Sequence, residues 1–163
     1  MEYNTIDKKS IKSWRISAAI ALGVILAVEV PVAILIEYFG WDSPWKWLVF
    51  GLMIMLAVYE VIELVVFPVW EYKQWGYAIE EDKVVIRHGI FFVKETVIPI
   101  IRIQNITISQ GPINRKLGLY KVELFLASGI FEIVGLNQET ADRISENLKS
   151  RLYRRISEKG DVL

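Results

Sequence analysis

Hydrophobic positions in the first seventy residues fall into two long runs with few polar interruptions. Residues 16–36 read ISAAIALGVILAVEVPVAILI, and residues 47–69 read WLVFGLMIMLAVYEVIELVVFPV. At about 1.5 Å per residue, each run is long enough as an α-helix to cross the roughly 30 Å hydrocarbon core of a bilayer. The intervening EYFGWDSPWK is a short turn rich in Gly, Pro and aromatic residues. The pattern therefore predicts a transmembrane helical hairpin, and the late start and length of the first run distinguish it from a secretory signal peptide.

The residues that flank the two runs predict the membrane interfaces and the orientation. Aromatic side chains favour the membrane–water interface. They are Trp41, Trp45 and Trp47 at the turn, and Trp70, Tyr72 and Trp75 after the second run. The cations before the first run are Lys8, Lys9, Lys12 and Arg15, and the turn carries Lys46. Because basic flanks stay on the cytoplasmic side, we expect a multi-pass protein of the cytoplasmic membrane, with the N-terminus and residues 71–163 in the cytoplasm.

Three carboxylates lie inside the apolar runs, namely Glu29, Glu60 and Glu63. A charged carboxylate at that depth costs about 2.5–3.5 kcal/mol on insertion scales, so each is expected to be neutral, paired or exposed to a wet cavity. Neither run contains Lys or Arg. Glu60 and Glu63 share one helix face, and Glu29 and Glu60 differ in depth by roughly 7–8 Å in an antiparallel hairpin. Glu29 and Glu60 are therefore placed to face one another across a small polar seam.

Three interpretations of these acids remain open at this point. In the first, they are neutral and hydrogen-bond between helices, within the hairpin or in a homo-oligomer. In the second, they meet a cationic or polar residue of a different membrane protein. In the third, they conduct protons or ions, which is the weakest interpretation because two helices alone enclose no pathway.

The hydrophobic pattern changes after Trp75 from continuous runs to short alternating segments. Turn residues such as Glu81-Asp82 and His88-Gly89 separate stretches rich in β-branched side chains. The strands read from this pattern are residues 77–80, 84–87, 90–97, 106–109, 122–126 and 130–134. Six or seven antiparallel strands with short loops are typical of a small sandwich or barrel.

The last segment returns to a helical period. Asn137 is a suitable N-cap, and apolar residues recur every three or four positions over residues 138–157, approximately. The apolar stripe consists of Ala141, Ile144, Leu148, Leu152 and Ile156, and the opposite face carries Lys149, Arg151, Arg154, Arg155 and Lys159. The predicted fold is an α+β membrane protein, with a tail and hairpin in residues 1–70 and a helix-capped antiparallel β-barrel or sandwich in residues 71–163.

The stretch IPIIRIQNITISQGPINRKLGLYKVELFL carries a more specific signal. It contains Pro99, Arg102-Ile103-Gln104, Gly111-Pro112, Arg115 and Leu117-Gly118-Leu119, and Gly135-Leu136 follows before the last helix. From about Trp75 to Arg151 the chain resembles the bacterial PH-like family of membrane-flanked domains, and a helical hairpin is that family's usual companion. The resemblance implies a pleckstrin-homology (PH) type barrel. It also implies a partner, because members commonly occur beside larger relatives that carry several such units.

Polar residues of this motif are the candidates for function: Arg102, Gln104, Asn105 and Arg115. One interpretation is structural, with Arg102 and Gln104 bridging strand ends and Arg115 pinning a loop. In the other, Arg115, Lys116 and Lys121 form a basic patch, extended by Lys94, that faces anionic headgroups. Each basic residue near such lipid gains about 1 kcal/mol. Gly111 and Gly118 are expected to supply backbone conformations that other residues resist.

The remaining composition argues against several classes of protein. The chain has no Cys and a single histidine, His88, which excludes disulfides, thiolate metal sites and a multi-histidine metal site within one chain. It contains no phosphate-cradling glycine loop, zinc-binding helix motif or nucleophile elbow. The overall net charge is a sum over two unlike parts, and residues 71–163 carry fourteen Lys/Arg against twelve acids, an excess far below that of a nucleic-acid-binding domain. We therefore expect a non-enzymatic protein without metal, cofactor or nucleic-acid partner.

The sequence favours a membrane-anchored interaction or scaffold module that assembles with another membrane protein, most naturally a larger PH-like relative. The first alternative is a module that senses anionic lipid at the inner leaflet through Arg115 and Lys116. The second is an accessory subunit of a transport or export complex that uses Glu29, Glu60 and Glu63.

Overall fold

A computed structural model describes residues 3–40 and 43–160, with side chains described as far as Arg154. Trp41 and the side chains of Arg155, Ile156 and Lys159, which the sequence singled out, lie outside the described residues. The helices are α1 (Lys9–Tyr38), α2 (Trp45–Val65), α3 (Phe67–Gln74), α4 (Pro112–Leu117) and α5 (Gln138–Gly160). The strands are β1 (Gly76–Ile79), β2 (Lys83–His88), β3 (Lys94–Pro99), β4 (Ile103–Ser109), β5 (Tyr120–Leu126) and β6 (Gly129–Leu136), with a 3-10 turn at Ile100–Arg102.

The chain divides into two compact units. One comprises Trp14–Val69, and the other joins Met1–Ser13 to Trp70–Leu163. We call them the hairpin unit and the β-domain. The sequence predicts a tail and hairpin in residues 1–70, and within that range Met1–Ser13 groups with the β-domain.

Among the described residues, α1 and α2 are the helices long and apolar enough to cross a bilayer, and the hairpin unit holds all of α2 and all of α1 except its first residues. Only 6% of the most apolar 18-residue window of each helix is buried, so the apolar side chains are not covered as they would be in the core of a soluble protein. Pro31 lies within the uninterrupted α1. The second predicted span is shorter than its apolar run, because α2 ends at Val65 and α3 begins at Phe67. Pro68 explains this break, since it lacks the N–H that an uninterrupted helix needs.

Two antiparallel three-stranded sheets, of order β1-β2-β3 and β4-β5-β6, form the β-domain. Consecutive residues of β2, Val84 to Ile86, are buried. Because neighbouring side chains of a strand point to opposite faces, both faces of the first sheet are covered. The predicted antiparallel arrangement is confirmed, with six strands within the described part of the chain.

Helix α5 packs on β4, β5 and the 3-10 turn through the predicted stripe. Ala141, Ile144 and Leu148 are 0%, 4% and 0% exposed. Asn137 caps the helix as predicted, since its Oδ1 accepts a hydrogen bond of 2.8 Å from the backbone N–H of Thr140. The order of two sheets followed by one packing helix is consistent with a PH-like domain.

The tail before the first span docks on the β-domain. Asn4 pairs with Tyr77 of β1 through two backbone hydrogen bonds of 2.8 and 3.0 Å, and the N–H of Asp7 donates to the carbonyl of Gly135 at 2.7 Å. Ile6 is 3% exposed and Ser10 is 2% exposed. The tail therefore extends the edge of the first sheet and contributes to the core of the β-domain.

Candidate functional site

Glu60 is the most deeply buried of the described carboxylates of the hairpin unit. It lies on α2 and is 6% exposed, and its Oε2 atom has no hydrogen-bond partner among the described residues. An unsatisfied buried polar atom costs about 1–3 kcal/mol, and more when it is charged. The side chain of Glu60 therefore needs a donor or acceptor that the described part of the chain does not supply.

Glu29 on α1 is a second carboxylate with an unpartnered oxygen, and it lies in a groove beside α2. Its Oε1 atom is buried and has no described hydrogen-bond partner. The side chain lines an otherwise largely apolar groove of about 520 Å³, formed with Trp47, Phe50, Gly51, Met53, Ile54 and Ala57. The groove places Glu29 beside α2 residues that precede Glu60, and the unpartnered oxygens of the two acids do not bond to each other. Glu63 is half-buried on the same helix.

The positive charge of Lys121 is compensated by ion pairs with two neighbouring acids. It lies on β5, where its Nζ is 2.7 Å from Oε1 of Glu123 and 2.8 Å from Oε1 of Glu132. Hydrogen bonds to Glu123 and then to Glu132 raise the pKa of the Lys121 ammonium. The same contact with Lys121, together with a hydrogen bond from the Ser109 hydroxyl, lowers the pKa of Glu123 against the effect of burial. Lys121 is thus committed to a structural network.

Arg115 and Lys116 stay available for a ligand. They form the last turn of α4, where both side chains are exposed, and neither has an ion-pair partner within the described part of the chain. Lys121 opposes Ser109 at the nearby end of the sheet. The three cations and the two acids that bind Lys121 leave an excess of one positive charge. The basic patch is therefore weaker than the sequence suggested.

The structure separates Arg102 and Gln104 from that patch. Arg102 ends the 3-10 turn and Gln104 lies near the start of β4, both exposed. The strand then rises by about 3.3 Å per residue, so Gln104 is about 17 Å from Ser109 at the other end. Arg102 and Gln104 therefore lie at the end of β4 that is remote from Ser109 and Lys121.

The loop around α4 is held by residues other than the predicted Arg115. The Ser13 hydroxyl donates to Oδ1 of Asn114 at 2.5 Å, and Nε2 of Gln110 donates to the carbonyl of Leu119 at 2.8 Å. Gly118 ends α4 in the left-handed region with φ 66°, as expected. The expectation for Gly111 was wrong, since its φ of −79° and ψ of 169° are open to any residue.

Sequence reasoning missed an exposed apolar loop between β2 and β3. The pattern predicts one strand over residues 90–97, but β3 begins at Lys94. Phe91 and Phe92 are consequently 71% and 91% exposed. The consecutive apolar letters IFFV gave no alternation of faces, and this lack of period 2 was the signal that the first half is not a half-buried strand.

A polar cleft of about 800 Å³ runs along α5. Its charged residues are Glu81, Glu146, Arg143, Arg151 and Arg154. An Nη atom of Arg151 donates to the backbone carbonyl of Glu80 at 2.5 Å, which ties the helix to the β1–β2 turn. The mixed charges of this cleft are those of a solvated surface.

Comparison with known proteins agrees with this architecture. Residues 15–152 match the family described as the bacterial PH domain. The UPF0699 transmembrane protein YdbS of Bacillus subtilis (strain 168) is 32% identical over 151 residues, which cover 93% of this chain and 92% of that protein. No solved structure matches the chain significantly.

Proposed function

The chain belongs to the bacterial PH domain family, and from this premise we propose that it is a non-enzymatic interaction module whose hairpin binds a transmembrane segment of a second membrane protein. That the chain is a membrane-associated protein with a PH-like domain follows from the family, the transmembrane relative and the two apolar helices. The proposal that the hairpin binds a second membrane protein is based on the unpartnered Oε2 atom of the buried Glu60.

We favour a donor from a different protein as the partner of Glu60. Water is scarce in the hydrocarbon core of a bilayer and two helices alone enclose no wet cavity, so the carboxyl group is best satisfied by another protein group. A second copy of this chain offers hydrogen-bonding side chains but no cation, because neither apolar run contains Lys or Arg. A different protein can supply a Lys, Arg or hydrogen-bonding side chain at that depth. The partner we favour is a larger PH-like relative, as the family resemblance implies. In this proposal the β-domain lies on the cytoplasmic side, as the positive charges that flank the first span predict.

Replacement of Glu60 by Leu tests this proposal directly. The full chain is purified in mild detergent from native membranes, and the stoichiometry of any second membrane protein is measured. Loss of one member of a buried hydrogen-bonded pair costs about 2–5 kcal/mol, or roughly 30-fold and more in affinity. Glu37→Gln, at an exposed position near the end of α1, is the control for loss of a carboxylate and is expected to retain the partner.

A charge exchange separates specific pairing from general damage to the hairpin. Suppose that the co-purified protein carries a Lys or Arg in a membrane span. Glu60→Lys in this chain, combined with replacement of that basic residue by Glu in the partner, should then restore the complex. An unaltered complex with Glu60→Leu would contradict the proposal. A homodimer that dissociates in that variant would show instead that the acids join two copies of this chain.

A second candidate function rests on the exposure of Arg115 and Lys116 at the end of α4. These residues would read anionic headgroups, with about 1 kcal/mol from each cation. In nanodiscs that hold the full chain, tryptic cleavage after Arg115 and Lys116 should be slower with phosphatidylglycerol than with phosphatidylcholine. Cleavage after Lys149, which is exposed on α5, serves as the control. Equal rates at all three positions in both lipids would exclude this function.

A further inference from the structure

The loop between β2 and β3 presents an apolar tip on the surface of the β-domain. The tip consists of residues 91–93, whose side chains are 71%, 91% and 44% exposed. Three consecutive apolar residues at the end of a hairpin do not contribute to the core. Contiguous exposed apolar surface of this kind marks a site of contact with protein or membrane.

The tip is held in place by α3. Nε2 of Gln74 donates a hydrogen bond of 2.7 Å to the backbone carbonyl of Ile90. The rings of Trp70 and Phe91 meet edge to face with 6.3 Å between their centroids. These two contacts tie the loop to the first and last turns of one short helix, so the position of the apolar tip is fixed relative to Trp70.

Trp70 indicates what covers the tip. It follows Val65, the last residue of α2, by five positions, so the chain keeps it within about 17 Å of the end of the apolar helix. Tryptophan favours the headgroup region, which extends roughly 5–8 Å beyond each side of the hydrocarbon core. Trp70 is 46% exposed, which leaves its ring accessible to lipid. A ring that contacts Trp70 is thereby brought to the same level of the membrane.

The charges beside the tip are mixed. Lys73 on α3 and Lys94 at the start of β3 are both exposed, and Glu71 and Glu95 lie near them in the sequence. Long basic side chains that flank a set of aromatic residues are typical of segments that lie in the membrane interface. The occupant that these observations favour is therefore lipid.

We propose that residues 91–93 insert into the lipid–water interface of the membrane that holds the hairpin, so that the β-domain is attached to the bilayer at a second point. The aromatic rings enter the boundary between headgroups and acyl chains, and Trp70 and Gln74 hold the loop in the orientation that this requires. The attachment does not depend on Glu60 or on the proposed partner.

The absence of cysteine from the chain allows a direct test. Phe92→Cys is labelled with an environment-sensitive NBD fluorophore in the full chain, purified alone and reconstituted into vesicles of phosphatidylglycerol and phosphatidylcholine. The control is Ser128→Cys, at the exposed turn between β5 and β6. We expect the emission of the label at position 92 to shift to shorter wavelength and to be quenched by spin-labelled lipid, whereas the label at position 128 shows neither effect.

Three outcomes would overturn the proposal. In the first, the labels at positions 92 and 128 behave alike in vesicles. In the second, the label at position 92 shifts to shorter wavelength but is not quenched by spin-labelled lipid, which would mean that protein covers the tip. In the third, the shift disappears when the protein is diluted with lipid, which would assign the tip to contact between copies. Both substitutions lie at exposed positions, so folding is checked by an unchanged thermal unfolding temperature in detergent.

Discussion

Docking of the N-terminal tail on the β-domain can be tested with two glycines that share the same positive φ angle. Gly118 and Gly135 both have φ of +66°. A Cβ atom added at Gly118 meets nothing within 4 Å, whereas at Gly135 it would lie 2.1 Å from Oγ of Ser10 and 3.3 Å from Cβ of Ile6. Gly118→Ala therefore introduces backbone strain alone, and Gly135→Ala adds a steric conflict with the tail.

The magnitudes follow from this difference. Left-handed backbone costs a non-glycine residue about 1–2 kcal/mol, and both variants bear this cost. Overpacking adds about 1–3 kcal/mol in Gly135→Ala, which corresponds to about five- to 150-fold in the population of the undocked tail. Undocking removes the conflict but exposes Ile6, which is 3% exposed in the native structure. The tail is therefore expected to detach before the two sheets unfold.

Limited trypsin digestion in detergent measures the detachment. Lys8, Lys9 and Lys12 lie within or beside the docked segment. Their cleavage in Gly135→Ala should accelerate by the factor above relative to Gly118→Ala, while both variants lose a similar part of their thermal stability to backbone strain. Ser10→Ala combined with Gly135→Ala should recover part of the protection, because it removes the nearest atom. Equal cleavage rates in the two glycine variants would refute the docking of the tail.

Two further predictions concern the stability of the β-domain. The Lys121 ammonium holds the pKa of Glu123 below its ordinary value of 4.5, so the ionised carboxylate stabilises the fold above that pH and the contribution is lost as the pH falls through the lowered pKa. Glu123→Gln should therefore flatten the acid side of a plot of unfolding temperature against pH, and an unchanged slope would contradict the role of the Lys121 network. Leu124→Ala, at a 0% exposed position of β5, should lower the free energy of unfolding by about 2–5 kcal/mol, as measured by thermal unfolding. Ile130→Ala, at a 57% exposed position, should lower it by less than about 0.5 kcal/mol. Similar losses in the two variants would show that the two sheets do not enclose this core.

The sequence predicts most reliably those elements whose signal is local and long. The two apolar helices follow from runs of about twenty apolar residues, a length that is typical of membrane-spanning helices. The amphipathic stripe of α5 follows from its period, and Ala141, Ile144 and Leu148 are buried as that period requires. The break between α2 and α3 was harder to predict, because proline is tolerated within some membrane helices, as Pro31 is in α1.

The candidate site was predicted only in part, because pairing of charges depends on contacts across strands. Lys121 and Arg115 are both basic residues, yet Lys121 binds Glu123, two residues along the same strand, and Glu132 on β6, whereas Arg115 has no ion-pair partner in the described part of the chain. The contact with Glu132 depends on the register that joins β5 to β6, and register is a non-local property. The sequence did identify Glu29 and Glu60 as unusual, because the depth of a carboxylate follows from its position within an apolar run and does not depend on tertiary contacts.

The docked tail constrains the membrane topology independently of the positive charges that flank the spans. The residues before the first span and the residues after the second span belong to one compact unit, linked by the hydrogen bonds of Asn4 to Tyr77 and of Asp7 to Gly135. Segments that bind one another must lie in the same compartment. The chain between them therefore crosses the bilayer an even number of times, so α1 and α2 both span it or neither does. Since each helix exposes nearly all of its most apolar window, burial within the chain does not provide the alternative, and two crossings are the consistent solution.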